Sequence, residues 1–231
     1  MVLKFILLAI GAYLLGSVPA GYLAIKWSRG TDIRKVGTGK VGASNVLNAG
    51  GPKWLAIPVA VFDIGKGVLV VFIARYVFNL EPIYYAIVGL CAVLGHDWSI
   101  YLKFKSGGRG VFVTLGVITM ISPLMGLIAL VGPYLLFAPF KQVALGVFAV
   151  YVTFPFLAYF FTGTFGVEEK VAITIGLAIL SAVGLLVRII GRRTELSKNV
   201  PMHKVIFYRL LFDRDIADRK LWNSRAITNQ G

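Results

Sequence analysis

Long apolar runs recur from one end of the chain to the other and constrain its fold more than any other feature. A helix needs about 20 mostly apolar residues to cross the roughly 30 Å hydrocarbon core of a bilayer. Of the 231 residues, 58% are hydrophobic and only 15% are charged, which is too few charges for an ordinary soluble domain. We therefore predict an all-α polytopic membrane protein with about seven transmembrane helices. The predicted spans are 2–25, 54–78, 83–102, 111–122, 124–139, 142–162 and 170–187, with one kinked segment as the alternative to the fourth and fifth.

The positive charges predict the orientation of these spans. Lys and Arg gather in the cytoplasmic connections of membrane proteins. If the N-terminus is outside and the C-terminus is cytoplasmic, loops 26–53 and 103–110 and the residues after 187 all fall on the cytoplasmic side, with most of the Lys and Arg. The first run is too long for a signal-peptide core, and its charges follow it, so we interpret it as a retained span. The exceptions to the charge rule are Lys4, Arg75 and Lys170 outside and Lys66 within a span.

The chain carries a formal net charge of +14. The concentration of Lys and Arg in cytoplasmic connections explains this charge, so we expect no nucleic-acid partner. We predict a single transmembrane domain over 1–195 and a cytoplasmic basic tail over 196–231. Apolar residues interleave with Lys204 and Arg209 in that tail, as in an interfacial amphipathic helix. Cys91 is the only cysteine, and the chain has two histidines, so we predict no disulfide and no metal site.

A first glycine-rich loop follows the first span, within Asp32 to Asn45. Closely spaced glycines allow successive backbone N–H groups to face an anion, and neighbouring Lys and hydroxyl side chains add charge and donors. The spacing is not that of a Walker motif, so a nucleotide site is a weak interpretation. The predicted phosphate-binding residues here are Gly37, Gly39, Lys40, Gly42, Ser44 and Asn45, with the Thr38 hydroxyl among them.

A second loop of the same kind leads directly into the span that starts at Val111. The partial positive charge of a helix N-terminus would add to this site. One such loop alone is typical of an ordinary cytoplasmic connector, but two on one face indicate a phosphorylated substrate that is bound at the membrane surface. The predicted ligands of this loop are Lys105, Gly107, Gly108, Arg109 and Gly110.

Charged and titratable residues also occur within the predicted spans. Asp63 and Lys66 are three residues apart, so they share a helix face and can form an intramembrane ion pair. Because charge inside a membrane is costly, such residues tend to be kept for function, although a purely structural pair is the alternative. His96 ends the third span and is either a general acid or base or an ordinary hydrogen-bonded residue. We do not expect a relay between His96 and Asp97, because neighbours on a helix point apart.

Taken in order, these elements resemble the bacterial acyl-phosphate:glycerol-3-phosphate acyltransferases of the PlsY type. The family's first motif matches Gly16-Ser-Val-Pro-Ala-Gly-Tyr22, Asp32-Ile-Arg34 and Gly37-Thr-Gly-Lys-Val-Gly-Ala-Ser-Asn45. Its Asp-x-x-Lys-Gly element matches Asp63 to Gly67. Its second motif matches Gly95-His96 and Phe104-Lys-Ser-Gly-Gly-Arg-Gly-Val111. The resemblance covers about residues 10–115 well and the later spans in number only.

Several positions depart from the family pattern. Thr38 replaces a serine but keeps the hydroxyl, Lys40 replaces an asparagine, and Asn48 replaces an arginine. Arg109 replaces a lysine, and Ser106 is a one-residue insertion. The family's third motif is reduced to the stretch from Arg188 to Glu195, without its histidine and asparagine. We predict that Arg188 and Arg192, four residues apart on a helix, complete the phosphate site and that Arg193 is a membrane-surface charge. The alternative is that all three are ordinary positive charges of the cytoplasmic side.

The resemblance implies transfer of an acyl group from acyl phosphate to the 1-hydroxyl of glycerol 3-phosphate, giving lysophosphatidic acid, at the cytoplasmic face of the bacterial inner membrane. It implies no cofactor, and it suggests that a substrate phosphate serves as the base. We predict Thr38, His96 and Arg109 as catalytic residues. The chain lacks the His-x4-Asp motif of thioester-dependent acyltransferases, since Tyr101 and Tyr208 stand five residues after the two histidines. The alternatives are a transporter of a phosphorylated metabolite and a diverged, non-catalytic paralogue.

Overall fold

All regular elements of the described residues are helices. The computed structural model describes residues 2–36, 38–48, 52–105, 107–191 and 193–222. The α-helices are α1 (Val2–Ser17), α2 (Ala20–Arg29), α3 (Ala43–Asn48), α4 (Ala56–Phe72), α5 (Pro82–Asp97), α6 (Val111–Ile121), α7 (Pro123–Phe137), α8 (Val143–Phe160), α9 (Thr162–Phe165), α10 (Lys170–Ile189) and α11 (Met202–Phe212).

Within the described residues, five helical segments are long and apolar enough to cross a membrane: Val2–Arg29, Lys53–Val77, Pro82–Leu102, Val143–Phe160 and Lys170–Ile189. Helices α6 and α7 are apolar but shorter. Many large apolar side chains on these helices face outward, as they do where lipid is the solvent. Exposed examples are Leu7, Ile57, Val61, Leu135, Phe156 and Val171. The all-helical, multi-pass membrane architecture is confirmed.

The apolar stretch between the second glycine loop and α8 forms two helices instead of one kinked span. Helix α6 ends at Ile121, and the backbone of Ser122 is extended, with φ −147° and ψ 108°. The Ser122 hydroxyl then accepts a hydrogen bond from the N–H of Met125, and Pro123 occupies the first turn of α7. A serine N-cap followed by proline is a strong helix start, so Ser122-Pro123 separates the two elements.

Glycines allow the long helices to pack with their backbones close together. A Cβ atom at Gly16 of α1 would overlap the backbone of Ala92 on α5, and one at Gly95 would overlap the backbone of Tyr13. Helices α4 and α6 approach in the same reciprocal way through Gly67 and Gly116. Small residues at such crossings are typical of membrane helices, whose association depends on close van der Waals contact. These two crossings fix α1, α4, α5 and α6 beneath the glycine loops.

The segment after the last long helix folds back onto the helix bundle. Helix α11 contacts α8 and α10, and its Val205 side chain is fully buried. Arg188, in the last turn of α10, donates hydrogen bonds through Nη1 to the backbone oxygens of Ala144 (3.1 Å) and Leu210 (2.6 Å). The tail therefore contains a helix that is docked on α8 and α10, and its placement at the membrane surface stays a prediction.

Candidate functional site

A cleft of about 940 Å3 opens where the two glycine loops meet the end of α10 and the tail. Its walls bring together seven of the predicted site residues, from three separate segments of the chain. Cationic side chains predominate among those that line it, which favours an anionic ligand. The predicted residues that line the cleft are Thr38, Gly39, Lys40, Lys105, Gly107, Arg109 and Arg188.

The first glycine loop is shaped by the buried amide of Asn45. Its Oδ1 accepts a hydrogen bond from the N–H of Thr38 at 2.9 Å. Its Nδ2 lies within hydrogen-bonding distance of three backbone oxygens, those of Ile33 (3.3 Å), Val36 (3.0 Å) and Lys40 (2.8 Å). An amide engaged by the loop backbone in this way holds the loop in shape. Asn45 therefore positions Thr38 and Lys40 without lining the cleft itself.

The second glycine loop lies directly against the end of α5. The N–H of Gly108 donates to the His96 carbonyl at 2.9 Å, and the N–H of Val41 donates to the Gly107 carbonyl at 3.4 Å, which joins the two loops. Gly110, with φ +60°, precedes the first turn of α6. A Cβ at Gly107 would overlap the carbonyl of Asp97, and one at Gly108 would overlap the imidazole of His96. The close approach of loop and helix therefore requires glycine at positions 107 and 108.

Three cations from different segments face the cleft. Burial, followed by repulsion from Arg109, lowers the pKa of Lys40 from its ordinary value. Arg109 forms an ion pair with Asp213, which immediately follows α11. Arg188 is buried and is held by the two carbonyls described above. Mutual repulsion between neighbouring cations is relieved when an anion binds between them, so this arrangement suits a phosphate.

Beneath the loops, Lys66 forms a buried polar cluster with Asp63 and His96. Its Nζ lies 2.9 Å from Asp63 Oδ1 and donates to the backbone oxygens of Gly16 (3.1 Å) and Val18 (3.0 Å). His96 Nδ1 is 3.4 Å from the same Nζ and 3.6 Å from Asp63 Oδ1. His96 is not among the residues that line the cleft. The cluster ties α1, α4 and α5 together directly below Gly108.

The remaining predicted residues have different positions. Ser44 is exposed, and Gly42 is not among the residues that line the cleft. Gly37 and Arg192 lie outside the described residues. The helical spacing that linked Arg188 to Arg192 does not apply, because α10 ends at Ile189. Arg193 is exposed and donates to the backbone oxygens of Ser197 and Val200, so it stabilises a turn. Its assignment as a membrane-surface charge stays a prediction.

The tail contributes residues to the cleft that no motif indicated. Arg209 is buried and donates to Asp215 Oδ1 at 2.7 Å and to the carbonyls of Ile189 (2.7 Å) and Gly191 (3.0 Å). Asp215 Oδ2 accepts hydrogen bonds from the N–H and the hydroxyl of Thr194, both at 2.9 Å. Burial opposes ionisation of Asp215, but the bonds from Arg209 and Thr194 outweigh it and lower the pKa to about 2. The opposite charges at positions 209 and 215 were the only signal in the sequence.

Asp97 is another residue of the cleft that the predicted site did not include. It ends α5, is 5% exposed and lines the cleft. Within the described part of the chain, neither of its carboxylate oxygens has a hydrogen-bond partner. A buried carboxylate in this condition is uncommon, because buried polar atoms are nearly always hydrogen-bonded.

Comparison with known proteins identifies the family of this chain. A family model described as glycerol-3-phosphate acyltransferase matches residues 6–198. Glycerol-3-phosphate acyltransferase 4 of Dehalococcoides mccartyi (strain CBDB1) is 38% identical over 221 residues, which cover 96% of this chain and 94% of the relative.

Two solved structures share the fold. The crystal structure of PlsY (YgiH), an integral membrane glycerol 3-phosphate acyltransferase, in its lysophosphatidic acid form gives a TM-score of 0.70 at 26% identity, covering 95% of this chain and 98% of that one. Its glycerol 3-phosphate form gives 0.64 at 32% identity, covering 86% of this chain and 100% of that one. Sequence family, relatives and fold agree, and this chain belongs to the glycerol-3-phosphate acyltransferase family.

Proposed function

We propose that this protein is a membrane glycerol-3-phosphate acyltransferase that uses acyl phosphate as its acyl donor and releases lysophosphatidic acid. The observation that carries the proposal is the junction of the two glycine loops, which places Lys40, Arg109 and Arg188 around one cleft. A cleft with cations on several walls suits a phosphate monoester. Family membership supports glycerol 3-phosphate as the acceptor.

The reaction needs binding and orientation more than it needs a protein nucleophile. The 1-hydroxyl of glycerol 3-phosphate attacks the acyl carbonyl carbon, the new ester C–O bond forms, and the C–O bond to phosphate breaks. The hydroxyl proton passes to a phosphate oxygen, and inorganic phosphate leaves. Lys40, Arg109 and the loop N–H groups would hold the phosphates and stabilise the charge that develops. The Thr38 hydroxyl lines the same cleft and can donate to either phosphate.

His96 has a supporting role in this proposal. Its ring lies under Gly108 and contacts Lys66 and Asp63, and it does not line the cleft. We therefore assign His96, Asp63 and Lys66 to positioning of the second glycine loop, together with Asn45 for the first.

We propose that α6 and α7 complete a set of seven spans, with α1 starting outside and the tail cytoplasmic, in the bacterial inner membrane. Residues 1–195 then form the acyltransferase domain, and 196–231 form a cytoplasmic basic tail that docks through α11. This topology is supported by the concentration of Lys and Arg on the side of the cleft.

The topology makes a labelling prediction. Cysteine placed at Ser44, which is exposed, should react with a membrane-impermeant maleimide only after the inner membrane is permeabilised. Cysteine at Ser106 should behave alike, and cysteine at Lys170 should react in intact cells. Cys91 is replaced by serine in every variant, so that the background is low. Reaction of position 44 in intact cells would contradict the cytoplasmic site.

The Arg109 side chain is the most direct test of phosphate binding. A hydrogen bond to a charged group contributes about 1.5–3 kcal/mol, so Arg109→Ala should lower kcat/KM for glycerol 3-phosphate by roughly 10- to 100-fold. Arg109→Lys, which restores the residue of the family motif, should retain most activity. Steady-state assays with purified protein measure kcat/KM of both Arg109 variants. Lys53→Ala is the control, because it removes an exposed cation elsewhere on the same side. Equal activity of Arg109→Ala and wild type would show that the loop is only a connector.

A further inference from the structure

Asp97 is a carboxylate in a cleft that otherwise attracts anions. It lines the cleft together with Lys40 and Arg109, and both cations act on it electrostatically. Among the described residues, neither cation forms an ion pair with it, and its two oxygens accept no hydrogen bond. Its location is fixed, because Gly107 packs on its carbonyl and a Cβ at Gly110 would lie 3.1 Å from each carboxylate oxygen. The carboxylate is therefore held in place without a partner.

The missing partner is a hydrogen-bonding group of a ligand. Leaving both oxygens of a carboxyl group buried and unsatisfied is unfavourable, and a hydroxyl group can hydrogen-bond with a carboxyl group whether it is ionised or protonated. A phosphate at pH 7 offers chiefly acceptor oxygens, so the phosphate of a substrate belongs beside Lys40 and Arg109 and away from Asp97. Hydroxyl groups are donors, and a glycerol phosphate carries two of them next to its phosphate.

We infer that the Asp97 carboxylate accepts hydrogen bonds from the hydroxyl groups of the acceptor substrate and so distinguishes a polyol phosphate from other phosphates. The inference rests on the proposed function, which supplies glycerol 3-phosphate as the ligand. It divides the cleft into two parts: the glycine loops and cations bind the phosphate, and Asp97 orients the glycerol end. Asp97 is thus a specificity-determining residue at a position where the sequence motif gives no such indication.

The test compares three ligands: glycerol 3-phosphate, n-propyl phosphate, which lacks both hydroxyls, and inorganic phosphate. Dissociation constants are measured by titration calorimetry on the purified full-length protein and on Asp97→Asn and Asp97→Ala. Hydrogen bonds to a charged group predict that wild type prefers glycerol 3-phosphate over n-propyl phosphate by about 10-fold or more. Both variants should reduce that preference to about 3-fold or less and should bind inorganic phosphate at least as tightly as wild type, because Asp97 is assigned to the glycerol end of the ligand only.

Two outcomes would overturn the inference. If the Asp97 variants weaken all three ligands by the same factor, Asp97 is only a counter-ion for the cations. If the preference for glycerol 3-phosphate is unchanged, the hydroxyls bind elsewhere. Asp218→Asn is the matched control, since Asp218 is exposed and its oxygen caps the backbone of Lys220 and Leu221, which asparagine can also do. Failure of wild type to bind glycerol 3-phosphate at all would instead reject the proposed function, so the two failures are distinguishable.

Discussion

Gly107→Ala should lower kcat/KM for glycerol 3-phosphate on the order of 100-fold, which is the loss expected when reacting groups are displaced by about 1 Å. The added Cβ would overlap the carbonyl of Asp97 and would lie 2.7 Å from the carbonyl oxygen of His96. Both obstacles are backbone atoms, so no flexible side chain can move aside and the loop itself must shift. That shift carries Arg109 and the hydrogen bond to Val41 with it. The effect should fall mainly on KM, because the proposed function assigns phosphate binding to this loop.

Gly65→Ala is the control for this prediction. Gly65 lies within α4, and a Cβ atom there meets no other atom within 4 Å. Alanine is favoured over glycine inside a helix, so this variant should keep wild-type activity and stability. Normal kinetics for Gly107→Ala would mean that the close packing of the second loop on α5 is not needed for binding.

Lys66→Ala should destabilise the protein by about 3–5 kcal/mol, the usual cost of removing one partner of a buried ion pair. The side chains of Lys66 and Asp63 are 1% and 2% exposed, so the remaining carboxylate has no access to water. The backbone oxygens of Gly16 and Val18 also lose their donor. Unfolding of the detergent-solubilised protein by heat and by denaturant measures the loss.

The double variant Asp63→Leu with Lys66→Met separates loss of charge pairing from loss of side-chain volume. It removes both charges together, so it should recover a large part of the stability that Lys66→Ala loses. Activity need not recover, because His96 loses both of its polar neighbours below the second glycine loop. If Lys66→Ala unfolds like wild type, the pair contributes nothing to the packing of α1, α4 and α5.

Apolar run length and glycine patterning were sufficient to anticipate much of this molecule. The runs predicted a helical membrane protein, and the clusters at positions 37–42 and 107–110 predicted where the chain makes a polar site. Position 122 also carried its own signal, because serine before proline starts a helix and separates α6 from α7. These features are local, and helix propensity and residue spacing can be judged from a short stretch of sequence.

The parts that could not be predicted depend on long-range packing. The side-chain amide of Asn45 could donate a hydrogen bond to a phosphate, but it forms hydrogen bonds with the loop backbone instead. The argument from spacing at Arg188 assumed a continuing helix, whereas α10 ends one residue later. Arg209 and Asp215 enter the cleft only because α11 folds back onto α8 and α10. Asp97 follows a motif histidine, and the motif assigns it no role of its own. Its unsatisfied oxygens become apparent only in the three-dimensional structure.

One assay tests the central claim most directly. The purified protein, in detergent or in liposomes, is incubated with an acyl phosphate and radiolabelled glycerol 3-phosphate, and the lipid fraction is analysed. We expect time-dependent appearance of labelled lysophosphatidic acid with release of one inorganic phosphate per ester formed, and a much slower appearance with Arg109→Ala. Labelled glycerol 3-phosphate that enters the lumen of sealed liposomes without being esterified would indicate a transporter. Protein that binds both substrates but forms no lysophosphatidic acid would contradict the acyltransferase assignment.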